Sequence, residues 1–242
     1  MTAKELVKEV RTFCEENANP DNVVKYSKYF KAGSFNAYGV PSEKQTAMVK
    51  EFASRPDATL EVLYEAATQL LLSGKYEEGS FLYLFLKEKL KELDERTFQE
   101  IDRWFDIGLE NWAHTDVIAG DLLSPLLEKN VISRQSLAPW RLSPRTYKRR
   151  AAVVSLIKPM KKSKDIAPAL EFILPLMLDQ EEKVGQGLGW LLREAWKISP
   201  APVEEFLTKY KNESQRVIFQ YATEKMPVEQ RAMFKRDKVK KA

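Results

Sequence analysis

The sequence predicts an all-α fold, an α-solenoid in which antiparallel helix pairs stack into a curved superhelix. Apolar residues recur at helical spacing along almost all of the 242 residues, whereas no segment alternates polar and apolar residues over the length of a strand. Prolines divide this pattern into short segments that each begin or end near Pro20, Pro56, Pro139, Pro200 or Pro227. Many short helices joined by short connections are typical of a chain of helical hairpins.

The helices are predicted near residues 2–17, 22–31, 42–54, 58–73, 75–92, 95–109, 112–129, 143–158, 164–178, 181–198, 201–211, 214–225 and 227–236. Two of them carry specific start signals. Ser42 with Gln45 predicts a capping box, and Ser143 followed by Pro144 predicts an N-cap and a first-turn proline. Helix pairs recur every ~35–45 residues, which is the period of HEAT-like repeats.

The chain is expected to form one HEAT-like repeat domain over residues 1–236, because no linker rich in glycine and serine divides it. Residues 237–242 are expected to be a basic, frayed tail. The single cysteine, Cys14, excludes an internal disulfide framework and fits a reducing compartment. With no signal-peptide pattern and no long apolar run, we expect a cytoplasmic monomer with no membrane partner.

Positive charge is concentrated in one part of the chain. The net charge is only +4, yet ten lysines and arginines and no acidic residue lie between Arg134 and Lys164. The remainder of the chain is therefore net acidic. A separation of this kind is typical of a surface that binds a polyanion, although a solvated basic face has the same pattern.

Most enzyme motifs are absent from the sequence. The single histidine, His114, has no metal-binding context, so we expect no metal, and there is no phosphate-binding loop or nucleophile elbow. The glycine-rich stretch 185–190 follows no predicted strand. Gly187 and Gly189 are therefore attributed to close helix packing.

Three local groups of residues remain as candidates. Trp112 and Asp116 are four residues apart and share a helix face, as a functional pair or as a core tryptophan with a capping acid. Residues 147–150, Tyr-Lys-Arg-Arg, suit a phosphate backbone or form a basic helix flank. Trp190 and Arg193 share a face at a spacing of three, as ligand contacts or as a core tryptophan with a surface arginine.

The order of these groups resembles the AlkD-like DNA alkylation-repair glycosylases. The resemblance rests on Tyr29-Phe30, on residues 38–41 (Tyr-Gly-Val-Pro), and on Asn111-Trp112 with Asp116. It continues through Arg149-Arg150-Ala151, residues 189–194 (Gly-Trp-Leu-Leu-Arg-Glu) and residues 221–225 (Tyr-Ala-Thr-Glu-Lys), and covers roughly Tyr26 to Arg231. No single motif is diagnostic, so the order carries the resemblance.

The resemblance implies a HEAT-like stack that holds duplex DNA in a basic groove. It also implies hydrolysis of the N-glycosidic bond of positively charged N3- or N7-alkylated purines, without metal or organic cofactor. The catalytic carboxylate would be Asp116, with Trp112 and Trp190 packing against the deoxyribose and backbone at the lesion. The family's phosphate-binding arginines would be Arg150 and Arg193. We further predict that five basic side chains line one concave, DNA-binding face, namely Arg145, Lys148, Arg149, Arg150 and Arg193. The sequence does not separate Arg149 from Arg150.

Two positions depart from the family pattern. Ala113 stands where many relatives carry an acid, and Tyr147 stands where a tryptophan is common. Neither departure removes a proposed catalytic group. Two other functions stay open, namely a non-catalytic HEAT-like module that binds unusual or branched DNA, and a scaffold that binds acidic proteins.

Overall fold

The computed structural model of the protein describes residues 1–31 and 33–237. These residues form helices joined by turns and contain no β-strand, which confirms the predicted all-α fold. Internal contacts divide the chain into two compact units, with the first over Met1–Val117 and the second beginning at Ile118. Asp237 accepts hydrogen bonds from Lys211 and Asn212. The remainder of the predicted tail lies outside the described residues.

The first unit contains seven helices within its described residues, namely α1 (Ala3–Glu16), α2 (Pro20–Ser27), α3 (Ser42–Ser54), α4 (Leu60–Leu72), α5 (Tyr76–Glu88), α6 (Glu95–Ile107) and α7 (Trp112–Val117). They pack in two layers, because α5 contacts both α3 and α7 while α4 contacts both α1 and α6. Contacts between α4 and α5 join the layers. This alternation is the pattern expected of stacked helix pairs.

Local sequence explains how α1 begins and which face it buries. Thr2 accepts a hydrogen bond from the Glu5 backbone N–H, and the Glu5 carboxylate accepts one from the Thr2 backbone N–H. This reciprocal capping box satisfies two donors that the first turn leaves unpaired. Leu6, Val10 and Cys14 follow at intervals of four and are fully buried, so one stripe of the helix faces the core.

The second unit begins with a π-helix (Ile118–Leu123) that adjoins α7 in sequence. The further elements are α8 (Ser124–Glu128), α9 (Arg134–Leu137), a 3-10 helix (Ala138–Leu142), α10 (Thr146–Val154), α11 (Ile157–Ser163), α12 (Ala167–Ile173), a 3-10 helix (Leu174–Leu176), α13 (Glu182–Ile198), α14 (Pro200–Tyr210), α15 (Arg216–Ala222) and α16 (Val228–Met233). Helix α13 is central, since it contacts α10, α11, α14 and α15.

The sequence of α13 accounts for this central place. Val184, Leu188, Leu191 and Leu192 are fully buried and recur at helical spacing. Glycines lie between them where neighbouring helices come closest. A Cβ at residue 189 would lie 2.5 Å from the Tyr221 Cβ and 2.6 Å from a carbonyl oxygen of α15. The attribution of the glycine-rich stretch to close helix packing is therefore confirmed.

Two predicted helix caps are wrong. Ser42 is the first helical residue rather than the cap, and the Gln45 amide donates to the Glu77 carbonyl. Helix α10 begins at Thr146 instead of beside Ser143, whose hydroxyl accepts a hydrogen bond from the Arg145 backbone N–H. Gln45 thus bonds a group 32 residues away that the local motif does not reveal, whereas Ser143 bonds within the turn that precedes α10.

We expect Gly189→Ala to lower the free energy of unfolding by about 1–3 kcal/mol, because the new methyl group would overlap the backbone of α15. Gly187→Ala is the matched control on the same helix. Its Cβ would meet side-chain atoms only, with the Arg150 Cγ at 3.4 Å and the Val154 Cγ2 at 3.5 Å, so the helix-propensity gain of up to about 1 kcal/mol should leave it neutral or stabilising. Denaturant titration of both variants measures the difference. Equal effects would contradict the packing role of residue 189.

Candidate functional site

Helix α7, which carries two of the predicted catalytic residues, is fixed at its start by Asn111. The Asn111 side-chain oxygen accepts a hydrogen bond from the His114 backbone N–H at 2.9 Å. The Asn111 carbonyl oxygen accepts two more, from the backbone N–H and the hydroxyl of Thr115. Asn111 therefore caps α7 and sets where the helix begins.

His114 anchors α7 to α5. Its ring is buried, lies 4.5 Å from the Tyr76 ring centroid, and contacts Gly79, where a Cβ would come within 2.7 Å of the His114 Cε1. The Asn111 amide donates to His114 Nδ1 at 2.9 Å, so Nε2 carries the proton and donates to the Ser80 hydroxyl at 3.1 Å. Burial lowers the pKa of His114 to about 3, so the ring is neutral near pH 7.

Trp112 and Asp116 lie one helical turn apart on α7 and are both half-buried. They share a face of the helix, as their spacing predicts. The Trp112 indole N–H donates to the Tyr29 carbonyl at 3.2 Å, and the indole stacks on Phe30 with centroids 5.9 Å apart. Trp112 is thus held in place while part of its surface stays accessible.

An aromatic pocket of about 320 Å³ lies beside Trp112 in the first unit. Ala113 and Glu77 line part of this pocket. Its other walls are largely aromatic side chains and include Tyr26, Tyr29, Phe30, Phe35 and Tyr76. The motif comparison included Tyr29 and Phe30 but missed Tyr26, Phe35 and Tyr76. The density of aromatic residues between positions 26 and 38 is the signal that indicates Tyr26 and Phe35.

The Tyr-Gly-Val-Pro loop at residues 38–41 is held by the buried carboxylate of Glu77. That carboxylate accepts hydrogen bonds from the backbone N–H groups of Tyr38, Gly39 and Val40, at 2.9, 2.7 and 3.2 Å. Gly39 has a φ of +78°, a left-handed conformation that glycine adopts without strain. Sequence reasoning missed Glu77, although two adjacent acids, Glu77 and Glu78, just before the apolar run 81–86 of α5 are a signal of buried polar roles.

In the second unit, Arg149 has a structural partner. Its guanidinium forms two hydrogen bonds to the half-buried carboxylate of Asp179, at 2.6 and 3.3 Å, and a third to the Ser143 carbonyl at 2.7 Å. Such a bidentate pair is among the strongest side-chain interactions. It fixes the start of α10 to the segment before α13.

The other predicted DNA-binding residues near α10 differ in exposure. Arg150 is only 5% exposed, packs over Gly187 and donates to the Lys183 carbonyl at 2.6 Å. Lys148 is buried, with its ammonium 5.7 Å from the Trp140 ring centroid. Arg145, in contrast, is exposed. The three side chains therefore do not form one open row.

Trp190 and Arg193 lie on α13 at the predicted spacing and are both half-buried. The Arg193 guanidinium is held between two carboxylates, Glu224 at 2.5 Å and Glu194 at 3.3 Å. Burial alone would raise the pKa of Glu194, but its hydrogen bond and charge interaction with Lys197, followed by those with Arg193 and Lys161, lower that pKa. Glu194 is therefore charged and restrains Arg193.

The structure thus pairs Trp112 with Asp116 on α7, and places Trp190 and Arg193 together on α13. The predicted alignment of all five cations along one face stays a prediction. None of the helices formed by residues 1–31 and 33–237 combines the length and apolarity that a membrane span requires.

The state of His114 can be measured directly, because the chain has one histidine. We expect its ring signals in NMR spectra to show no titration between pH 7 and 5. Because the folded-state pKa lies below the unfolded value of about 6.5, only the unfolded chain gains a proton as the pH falls. The contribution of the neutral His114 ring to the free energy of unfolding is therefore full above about pH 6.5. It declines as the pH falls towards 3, by up to about 1.4 kcal/mol per pH unit.

The control for that experiment is His114→Gln, whose free energy of unfolding should lose this part of the pH dependence. A titration midpoint near 6.5 in the folded protein would contradict the buried, neutral ring.

Comparison with known proteins supports the fold and shows the family. The fold is similar to a solved structure described as a predicted DNA alkylation repair enzyme from Enterococcus faecalis, with a TM-score of 0.72 and 15% identity, covering 88% of this chain and 98% of that one. At this identity the likeness shows the fold alone. None of the curated proteins compared matches the sequence. The family profile described as DNA alkylation repair enzyme matches residues 10–226, and the chain therefore belongs to the DNA alkylation repair enzyme family.

Proposed function

We propose that this protein is a DNA glycosylase that hydrolyses the N-glycosidic bond of positively charged N3- or N7-alkylated purines in duplex DNA. The observation that carries the proposal is the pair on α7, where Trp112 and Asp116 share one partly accessible face of a helix that Asn111 and His114 hold in place. Membership of the DNA alkylation repair enzyme family supports the substrate.

The chemistry requires few groups from the protein. An alkylated purine already carries a positive charge, so it leaves with the bonding electron pair as a neutral base and needs no general acid. The sugar gains oxocarbenium character, which the Asp116 carboxylate stabilises electrostatically and the Trp112 face stabilises by a cation–π interaction. Water then attacks C1′, and its proton passes to Asp116 and on to solvent.

The roles in the second unit follow the same proposal. Trp190 packs against the deoxyribose backbone, while Arg150 and Arg193 bind phosphates. The three hydrogen bonds of Arg149 to Asp179 and the Ser143 carbonyl favour a structural role for Arg149. We assign it to holding α10 in place.

We expect Asp116→Asn to reduce release of 7-methylguanine from methylated duplex by roughly 10²-fold or more, because the variant keeps the shape of the side chain but loses the charge. Duplex affinity and melting temperature should stay close to those of the wild type. Single-turnover release and binding isotherms measure the two effects. Asp102→Asn, on α6 of the same unit and also half-buried, is the matched control and should retain activity.

Release by Asp116→Asn at the wild-type rate would remove Asp116 from catalysis. A joint loss of stability, binding and release would make it structural. Duplex binding by the wild type without any base release would leave the non-catalytic DNA-binding module as the function.

The ion pair between Arg193 and Glu224 generates a second test. A phosphate that binds Arg193 has to displace Glu224, so Glu224→Gln should strengthen duplex binding by roughly two- to fivefold, the size typical of an exposed pair. Glu213→Gln, an exposed acid of the same unit, controls for the general change in charge. The gain should vanish in an Arg193→Ala background, and its persistence there would exclude Arg193 as the phosphate contact.

A further inference from the structure

Residues 24–31, Val-Lys-Tyr-Ser-Lys-Tyr-Phe-Lys, form an exposed segment that combines positive charge with aromatic rings and contains no acid. We refer to it as the basic aromatic segment. Lys25, Lys28 and Lys31 are all exposed, and Tyr26 and Tyr29 are 41% and 58% exposed. A basic aromatic surface of this kind requires an explanation, since large apolar groups are usually withdrawn from water.

Folding does not explain it. Helix α2, which contains the first part of the segment, buries none of its residues. A helix of eight residues is marginal without core packing, and α2 is held instead at its start, where Asn19 caps it and Asn22 donates to the Gly39 carbonyl. The exposed side chains of the segment contribute little to the core of the unit.

Its lysines also differ from Arg149 and Arg193 of the second unit, which are paired with carboxylates. Among residues 1–31 and 33–237, no ion pair involves Lys25, Lys28 or Lys31. Two of them lie near the ring of the next residue instead, with Lys25 Nζ 5.4 Å from the Tyr26 centroid and Lys28 Nζ 5.1 Å from the Tyr29 centroid. An anionic ligand can therefore bind these ammonium groups without displacing a carboxylate.

The spacing suits a nucleic-acid strand. Lys25 lies in the last turn of α2, and Lys28, three residues further on, is the C-cap residue of that helix. Side chains three residues apart on a helical turn are neighbours, with Cβ atoms about 5–6 Å apart. Tyr26 and Tyr29 have the same spacing, and the Tyr29 backbone N–H donates to the Tyr26 carbonyl in the turn that follows the helix. Two ammonium groups at that separation can contact neighbouring phosphates of one strand, which rises about 3.4 Å per nucleotide. The tyrosine rings between them can pack against sugars.

The segment is also joined to the candidate site. The Tyr29 carbonyl accepts the hydrogen bond from the Trp112 indole, and Phe30 stacks on that same indole. A DNA strand bound along the segment therefore reaches the partly accessible face of α7.

We propose that the basic aromatic segment is a DNA-backbone contact, in which Lys25, Lys28 and Lys31 bind phosphates of one strand and Tyr26 and Tyr29 pack against its sugars beside Trp112. The inference rests on the proposed function for its duplex substrate but not on catalysis. An anionic membrane surface is the other partner that a basic, aromatic helix suits. The connection to Trp112 favours DNA.

The test measures the affinity of the full-length protein for an undamaged, fluorescein-labelled duplex at several salt concentrations. For the triple variant Lys25→Gln, Lys28→Gln and Lys31→Gln, the slope of log affinity against log salt should become shallower by roughly 2–3, since each lost phosphate contact removes about 0.9. The control variant neutralises three exposed lysines of α1 and α3, Lys4, Lys8 and Lys50. It should keep a near wild-type slope.

A second variant, Tyr26→Leu with Tyr29→Leu, keeps the charges and should weaken binding several-fold without changing the slope. Thermal melting should be unchanged in both segment variants, because the replaced side chains are exposed.

The proposal is overturned if the lysine variant keeps the wild-type slope, if both lysine variants lose slope equally, or if the wild type does not bind duplex. Binding to anionic phosphatidylserine vesicles that depends on these lysines, with an unchanged DNA slope, would reassign the segment to membranes. A failure of the glycosylase proposal is distinguishable, because base release would then be absent while the salt effect on undamaged duplex persists.

Discussion

The position of the candidate catalytic pair depends on an imidazole that is buried without charge. His114 occupies the space above Gly79 on α5, and any side chain at residue 79 would collide with it. Burial excludes the protonated form, since a buried cation without an anionic partner is costly. Because Asn111 bonds both the ring and the backbone of His114, the contact fixes the start and the rotation of α7. The face that Trp112 and Asp116 present follows from these constraints.

The basic side chains of this protein have two roles, which the distribution of charge along the sequence does not distinguish. In the second unit, Arg149 and Arg193 form hydrogen-bonded pairs with carboxylates, and these pairs hold helices together. The guanidinium groups of these arginines already donate hydrogen bonds to carboxylates, so the side chains keep their positions when neighbouring residues shift slightly. In the first unit, the lysines of the basic aromatic segment are exposed at the surface. The densest run of basic residues therefore mixes buried or ion-paired side chains with exposed ones, whereas all three lysines of the basic aromatic segment are exposed.

Sequence reasoning predicted the helical fold well because most helices have a strong apolar period. Helix α3 has the predicted bounds, and Trp112 and Asp116 share a helix face as their spacing indicates. It was less successful where the partner is distant in the chain. Asp179 lies thirty residues after Arg149, and no local pattern links them. The predicted helix over 143–158 is shorter in the structure, where α10 ends at Val154 and α11 begins at Ile157.

The anchoring of the 38–40 loop by Glu77 has a consequence for how freely that loop can evolve. The three groups that the carboxylate binds belong to the main chain, and every residue except proline carries one. The anchor itself therefore does not depend on the side chains at residues 38 and 40, and Val40 is constrained instead by its burial in the core. Residue 39 is restricted to glycine, because a Cβ there would collide with the Asn19 carbonyl. The loop is thus constrained at Gly39 by its close approach to α2 and at Glu77 by the main-chain hydrogen bonds that this carboxylate accepts.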